Sequence, residues 1–451
     1  MKRTITHILL LSLLISLHGN LGVQGQGSSL LPSQSILSQS SISLRLRADL
    51  NGQKSKLSDI VLSPDARILA AAKEDGKTEL WNTETGQLIA NLDGRIVLSF
   101  YHSFIRPIEV FSHDSSMLVT MNGKEAKIWD AATGKLKHVL KGHEKEIRSV
   151  AFSPDNKSLA TGCADGTVKL WNTKTGQLNA TLAAYRIKKY PQWRIISKSF
   201  AELLAYVDVS FSPDSKRLLT IPYKQATKLW DSATGQLEAV LGEKNSHAKF
   251  SPNGRFILTQ RYVPLFTGDL WETETGQLKA TLTLPAGDAE FSPDENWLGP
   301  VEHQEEKGLL DLRTLEVKIP LNLNKFDFYS WILFSPDNRK LLLASGLYGH
   351  RAVLFDIPSG KEAAEIPIVA KRGFDFISDY LTYVERLRFH PSSRILMGAN
   401  HDVVRFWDAE TGEQIKEIAV GRDPAMLSSD GKLLVTASKD KRSILLWEVS
   451  I

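Results

Sequence analysis

The chain has 451 residues, 42% of them apolar and 24% charged, and a formal net charge of +4. That is ample length for a large buried core, and by length alone it suggests two or three domains. The near-neutral balance argues against a dedicated nucleic-acid binder, and a single cysteine, Cys163, excludes an internal disulfide framework.

The chain opens with "MKRTITHILLLSLLISLHGNLGVQGQG", in which Lys2 and Arg3 precede an apolar run over residues 8–17 and then a small-residue stretch suited to cleavage after Gly25. This is the pattern of a secretory signal peptide over residues 1–25, so a secreted or periplasmic location is expected. The run is about half of the roughly 20 apolar residues that cross a bilayer, no later stretch is longer, and no membrane span is expected. Removal of Lys2 and Arg3 would leave +2 of the +4. No cysteine follows the run to accept a lipid, and residues 26–41, rich in Ser, Gln and Leu, read as a linker.

From residue 42 onward one unit recurs. "CADGTVKLWNTKTGQLNATL" nearly repeats "KEDGKTELWNTETGQLIANL", and nine copies of varying strength can be counted. Their aromatic or apolar anchors are Trp81, Trp129, Trp171, Trp230, Trp271, Leu310, Phe355, Trp407 and Trp447, mostly 39 to 52 residues apart. Periods of this size indicate an array, which overrides the length-based domain count.

Each copy holds short alternating or apolar runs bounded by Ser-Pro-Asp and Thr-Gly turns, the pattern of short antiparallel strands. Proline presets φ for the first turn, aspartate can bond the backbone ahead of it, and glycine supplies the positive φ of the second. One four-stranded sheet cannot cover both of its apolar faces, whereas units arranged radially cover one another.

With "VKLWN", "AKIWD", "TKLWD" and "VRFWD" at the strand ends, residues 42–451 resemble a WD-repeat β-propeller. The resemblance implies an all-β fold, a single closed propeller of four-stranded antiparallel blades, with nine blades favoured and eight as the fallback. It also implies a buried hydrogen-bonding group, complete only in the third unit as His143, Thr161, Asp165 and Trp171. Units lacking the Gly-His pair are expected to rely on packing alone. The last copy ends at "LLWEVSI", while "SISLRLRADLNG" at 41–52 precedes the first, so by the family's habit this N-terminal strand closes the last blade.

Three long insertions, "DGRIVLSFYHSFIRP", "AAYRIKKYPQWRIISKSFAELLAY" and "VAKRGFDFISDYLTYV", all fall between an outer strand and the next inner strand, which in a propeller crowds them onto one face. Ile196, Phe200, Leu203 and Leu204, and Phe374, Ile377, Leu381 and Val384, have helical spacing suited to packing down on the scaffold. The candidate partner-binding residues are Tyr101, Arg106, Arg186, Lys188, Lys189, Tyr190, Trp193, Arg194, Lys371, Arg372, Tyr380 and Tyr383. Aromatic residues and arginine in one patch are the composition of interface hot spots. A second candidate is a channel ring of Asp59, Ser149, Asp208, His247, Asp288 and Arg386, each four residues before a Ser-Pro pair or its equivalent. That ring could be merely solvated, or could hold a small polar ligand or cation.

No G-x-S-x-G elbow, H-E-x-x-H spacing or Cys/His cluster of zinc-ligand spacing occurs along the chain. Cys163 reads as a buried, inert thiol. Asn156 and Asn179 match the glycosylation pattern. The expectation is a monomeric, exported, non-catalytic scaffold that needs no cofactor or metal and docks a protein through its insertion-bearing face. The alternatives are a propeller enzyme (hydrolase, lyase or quinone-dependent dehydrogenase) at the channel mouth, and a binder of envelope glycans or anionic surfaces.

Overall fold

The computed structural model describes residues 42–50, 55–96, 110–185, 207–222, 225–245, 247–261, 266–285, 287–323, 330–345, 352–367, 387–399, 403–420, 425–438, 440 and 442–451. All of their regular structure is antiparallel β, with no helix among the described residues. The segments read as signal peptide and linker lie outside them, as do the helically spaced residues of the two insertions.

The Trp171 sheet shows how a unit is built. Its strands Ile147–Phe152, Ser158–Cys163, Thr167–Asn172 and Leu178–Ala183 pair in sequence order. The Ser-Pro-Asp turn between the first two is a closed hydrogen-bonded unit. Ser153 Oγ donates to Asp155 Oδ1 at 2.6 Å, Asp155 accepts the Lys157 N–H at 3.1 Å, and Ser153 Oγ accepts the Ser158 N–H at 2.9 Å. Asn156 takes the left-handed corner at φ 61°, a conformation that asparagine tolerates better than most residues. In the Thr-Gly turn, Gly176 sits at φ 70°, and an added Cβ would meet the His138 ring at 2.7 Å.

Four-stranded sheets of the same order are built around Trp81, Trp230, Phe355 and Trp407. The Trp271 and Leu310 units each form such a meander and join through one pair, Thr283 with Glu302, into an eight-stranded sheet. The Trp129 sheet has three strands, extended by isolated bridges from Arg95 to Met121 and from Phe111 to Leu118. In the Trp447 sheet the fourth strand is the N-terminal Ser43–Leu50, which pairs antiparallel with Ile444–Ser450 and sets Leu46 opposite Trp447.

Apolar residues of each sheet pack against the sheet that follows. Leu170 and Leu182 meet Phe211, Leu218 and Trp230, and Leu354 and Ile366 meet Leu396 and Trp407. Leu50, Leu57, Ile60 and Trp81 share one cluster with Leu433, Val435 and Ile444, near the opposite end of the chain.

The anchoring tryptophans do more than pack. Trp129, Trp230, Trp271 and Trp447 each donate the indole N–H to a threonine hydroxyl, on Thr120, Thr220, Thr259 and Thr436, at 2.8 to 2.9 Å. The expectation of packing alone outside the third unit is therefore corrected. An indole N–H drawn into a sheet core needs an acceptor whether or not a histidine stands behind it. Trp81 meets that need differently, donating at 3.2 Å to Glu79, which pairs with the buried Lys73.

Candidate functional site

In the third unit, Thr161 lies on the second strand and Trp171 on the third, facing each other in the sheet core. His143 comes from the connection entering the unit, and Asp165 from the turn after Cys163. Thr161 Oγ1 takes the Trp171 N–H at 2.8 Å and meets His143 Nε2 at 2.7 Å, with the two rings edge-on at 6.4 Å. Burial, with Lys169 adding to it, lowers the His143 pKa to about 4, so the ring is neutral at physiological pH.

Asp165 departs from the expected four-residue group. Its hydrogen bonds come from Thr167, through the backbone N–H at 2.8 Å and the hydroxyl at 2.6 Å, from the Glu144 N–H at 3.3 Å, and from the Cys163 thiol. Burial raises the carboxyl, and these hydrogen bonds bring it below the ordinary range. His143 Nδ1 meets only a long 3.4 Å contact, to the same Thr167 hydroxyl. Burial pushes the Cys163 thiol up to about 11 and the Tyr185 phenol to about 12.

Residues 134–172, which contain all four members of this group, match the family described as "WD domain, G-beta repeat". Similar proteins include the guanine nucleotide-binding protein subunit beta of Oryza sativa subsp. japonica, 28% identical over 44% of this chain and 50% of that protein. Another is apoptotic protease-activating factor 1 of Rattus norvegicus, 27% identical over 47% of this chain and 16% of that protein. A third is the DENN domain and WD repeat-containing protein SCD1 of Arabidopsis thaliana, 28% identical over 44% of this chain and 14% of that protein. The chain carries a WD repeat over residues 134–172 and is similar to a WD repeat-containing protein over 44% of its length. It thus spans no more than about half the length of these relatives. The crystal structure of the computationally designed Ika8 protein resembles the WD-repeat chain in fold, with a TM-score of 0.51 at 18% identity over 88% of this chain and 97% of that one.

Of the polar positions read from the WD-repeat pattern as a channel ring, the structure brings some together. Ser149 Oγ donates at 2.5 Å to the carbonyl of Val207, next to Asp208, whose carboxyl burial raises to about 7. His247 lies opposite Gln260 in register, and the Gln260 amide donates to Asp288. Lys249, fully buried, sits between Asp288 at 3.6 Å and Glu290 at 2.5 Å. Asp59 accepts the N–H of its neighbour Ile60 at 2.7 Å, and Arg386 lies outside the described residues.

Lys249 was missed by sequence reasoning because "HAKFSP" reads as an ordinary inner strand. Its lysine stands two residues after His247, at the same strand parity, and that was the available signal. A surface groove lined by Pro320, Leu321, Lys361 and the repeat anchor Phe355 holds none of the candidate site residues read from the sequence.

All twelve candidate partner-binding residues, Tyr101, Arg106, Arg186, Lys188, Lys189, Tyr190, Trp193, Arg194, Lys371, Arg372, Tyr380 and Tyr383, lie outside the described residues. The flanking strands are described: each insertion leaves the last strand of one sheet, at Asp93, Ala183 or Ile366, and enters the first extended segment of the next. No helix among the described residues is long and apolar enough to cross a membrane.

Proposed function

We propose that this WD-repeat protein is an exported, non-catalytic scaffold, a nine-bladed propeller closed into one ring that docks a protein on the face bearing its three insertions. The observation that supports this reading is a set of contacts between successive units, one of which joins the last unit to the first. Ser-Pro-Asp turns bond to their neighbours through Asp65 N–H to Ser115 Oγ, Asp155 N–H to Ser215 Oγ and Asp337 N–H to Ser393 Oγ. Ser429 Oγ then donates to the carbonyl of Pro64 at 2.8 Å, joining the last unit to the first. The shared apolar cluster of Leu50, Leu57 and Leu433, and the pairing of Ser43–Leu50 with Ile444–Ser450, support the same closure.

Such a ring leaves no central sheet edge exposed and holds its loops on a rigid base, the arrangement in which loops carry recognition. All three insertions make the same topological connection, so in a ring they share a face. Their aromatic and basic residues suit a protein interface. WD repeats serve in general as protein-binding platforms, which favours docking over chemistry. The leader pattern supports export.

Affinity capture from an extracytoplasmic fraction tests this reading. The bait is the chain from Gln26, beside one in which residues 186–194 and 371–383 are replaced by short Gly-Ser turns. A protein retained by the first and lost from the second is expected. Absence of any specific protein on both would overturn the scaffold and turn attention to a polar ligand near Lys249 and Asp288.

A further inference from the structure

We propose that His143, Cys163 and Asp165 hold a divalent cation of the zinc class, at a site that does not depend on the docking function. Their ligand atoms, an imidazole nitrogen, a thiol sulfur and a carboxylate oxygen, all lie within 4.8 Å of one another. In a tetrahedral zinc site, ligands about 2.0–2.3 Å from the ion stand about 3.3–3.8 Å apart, so closure requires side-chain shifts on the order of 1 Å. The mixed nitrogen, sulfur and oxygen set suits zinc better than calcium or magnesium, which take oxygen alone.

Two features beyond proximity point to an ion. The first is a mismatch at His143. Its Nε2 is anchored on Thr161 at 2.7 Å, leaving Nδ1 directed toward Asp165 and Thr167, and the Thr167 hydroxyl is committed to Asp165 Oδ1 at 2.6 Å. A nitrogen whose opposite ring position is fixed by a hydrogen bond, beside a carboxylate that does not bond it, is the arrangement a metal ligand takes. The second is Tyr185, whose Oη is buried with no hydrogen-bond partner among the described residues. Its ring lies over the turn after Asp165, where a Cβ on Gly166 would stand 3.4 Å from two ring carbons, and its electrostatic neighbours include Asp165 and Cys163. Tyr185 thus borders the turn that carries Asp165. Arg148, the nearby cation, is paired with Glu146 at 3.1 Å.

Binding forms bonds from Nδ1, Sγ and a carboxylate oxygen to the ion, and the Cys163 proton leaves to solvent. His143 lies on a non-strand connection beside Gly142, which sits at φ 136°. The ion would fasten this connection to the turn after Cys163, whose Gly166 carbonyl accepts the Tyr185 N–H at 3.2 Å.

Cobalt titration of the metal-free full-length chain tests the site. One equivalent of Co²⁺ should produce a thiolate-to-cobalt charge-transfer band that Zn²⁺ abolishes. Cys163→Ser leaves the Trp171–Thr161–His143 chain intact. It should keep the wild-type metal-free melting temperature, lose the band, and bind Zn²⁺ at least about tenfold more weakly. Asp165→Asn should retain a weakened band. A wild-type titration without the thiolate band, or Zn²⁺ affinity unchanged in folded Cys163→Ser, would overturn the proposal.

Discussion

Trp271 donates its indole N–H to Thr259 Oγ1 at 2.9 Å, in a unit that lacks the Gly-His pair. The bond places a polar contact inside an apolar sheet core, where a donor left without an acceptor costs about 1–3 kcal/mol. Thr259→Val keeps the shape and removes the acceptor, so a loss of about 1–2 kcal/mol is expected in urea unfolding. Thr161→Val, which strands both Trp171 and His143, should cost more than Thr259→Val. Trp171→Ala should cost about 3–5 kcal/mol as a large-to-small core change.

Removal of residues 42–50 takes the pairing partner from Ile444–Ser450 and exposes the apolar cluster around Leu433. Amide exchange should accelerate first at residues 444–450. Equal acceleration across all sheets, with none local to Trp447, would contradict a closing strand.

Lys249 is 2% exposed and stands between two carboxylates. Lys249→Met leaves Asp288 and Glu290 facing each other without a cation and should destabilise the fold by about 3–5 kcal/mol. Adding Glu290→Gln to that variant should recover part of the loss, because it removes one of the two uncompensated charges. A double variant no more stable than Lys249→Met, by thermal melting, would place the effect in packing.

Asp208 supplies a pH dependence of definite sign. Its folded pKa, raised by burial to about 7, lies above the ordinary 3.8, so the folded state holds the proton more tightly than the unfolded chain. The resulting stabilisation is full below about pH 4 and is lost as pH rises through about 7, on the order of 4 kcal/mol in all. Asp208→Asn should remove this slope, read by chemical denaturation at pH 4, 6 and 8.

The repeat itself was legible in the sequence. Ser-Pro-Asp, Thr-Gly and the tryptophan anchor act locally: Ser153 bonds Asp155 two residues away, and strand alternation needs no knowledge of distant residues. The resemblance to the WD-repeat family also implied the N-terminal strand beside Trp447, and Ser43–Leu50 does pair with Ile444–Ser450. What only the tertiary structure decided depends on atoms far apart in the chain or on side-chain direction. The threonine partners of Trp129, Trp230, Trp271 and Trp447 escaped the family pattern because an indole needs any oxygen in reach, not a fixed residue order. His143 and Asp165 are 22 positions apart and join no linear metal motif, yet the turn after Cys163 carries Asp165 and the sulfur to the imidazole. Burial of Lys249 between Asp288 and Glu290 likewise required two strands from successive units to meet. Sequence determined the unit and its order because these rest on local backbone chemistry, and the fold decided the polar sites because these rest on convergence across units.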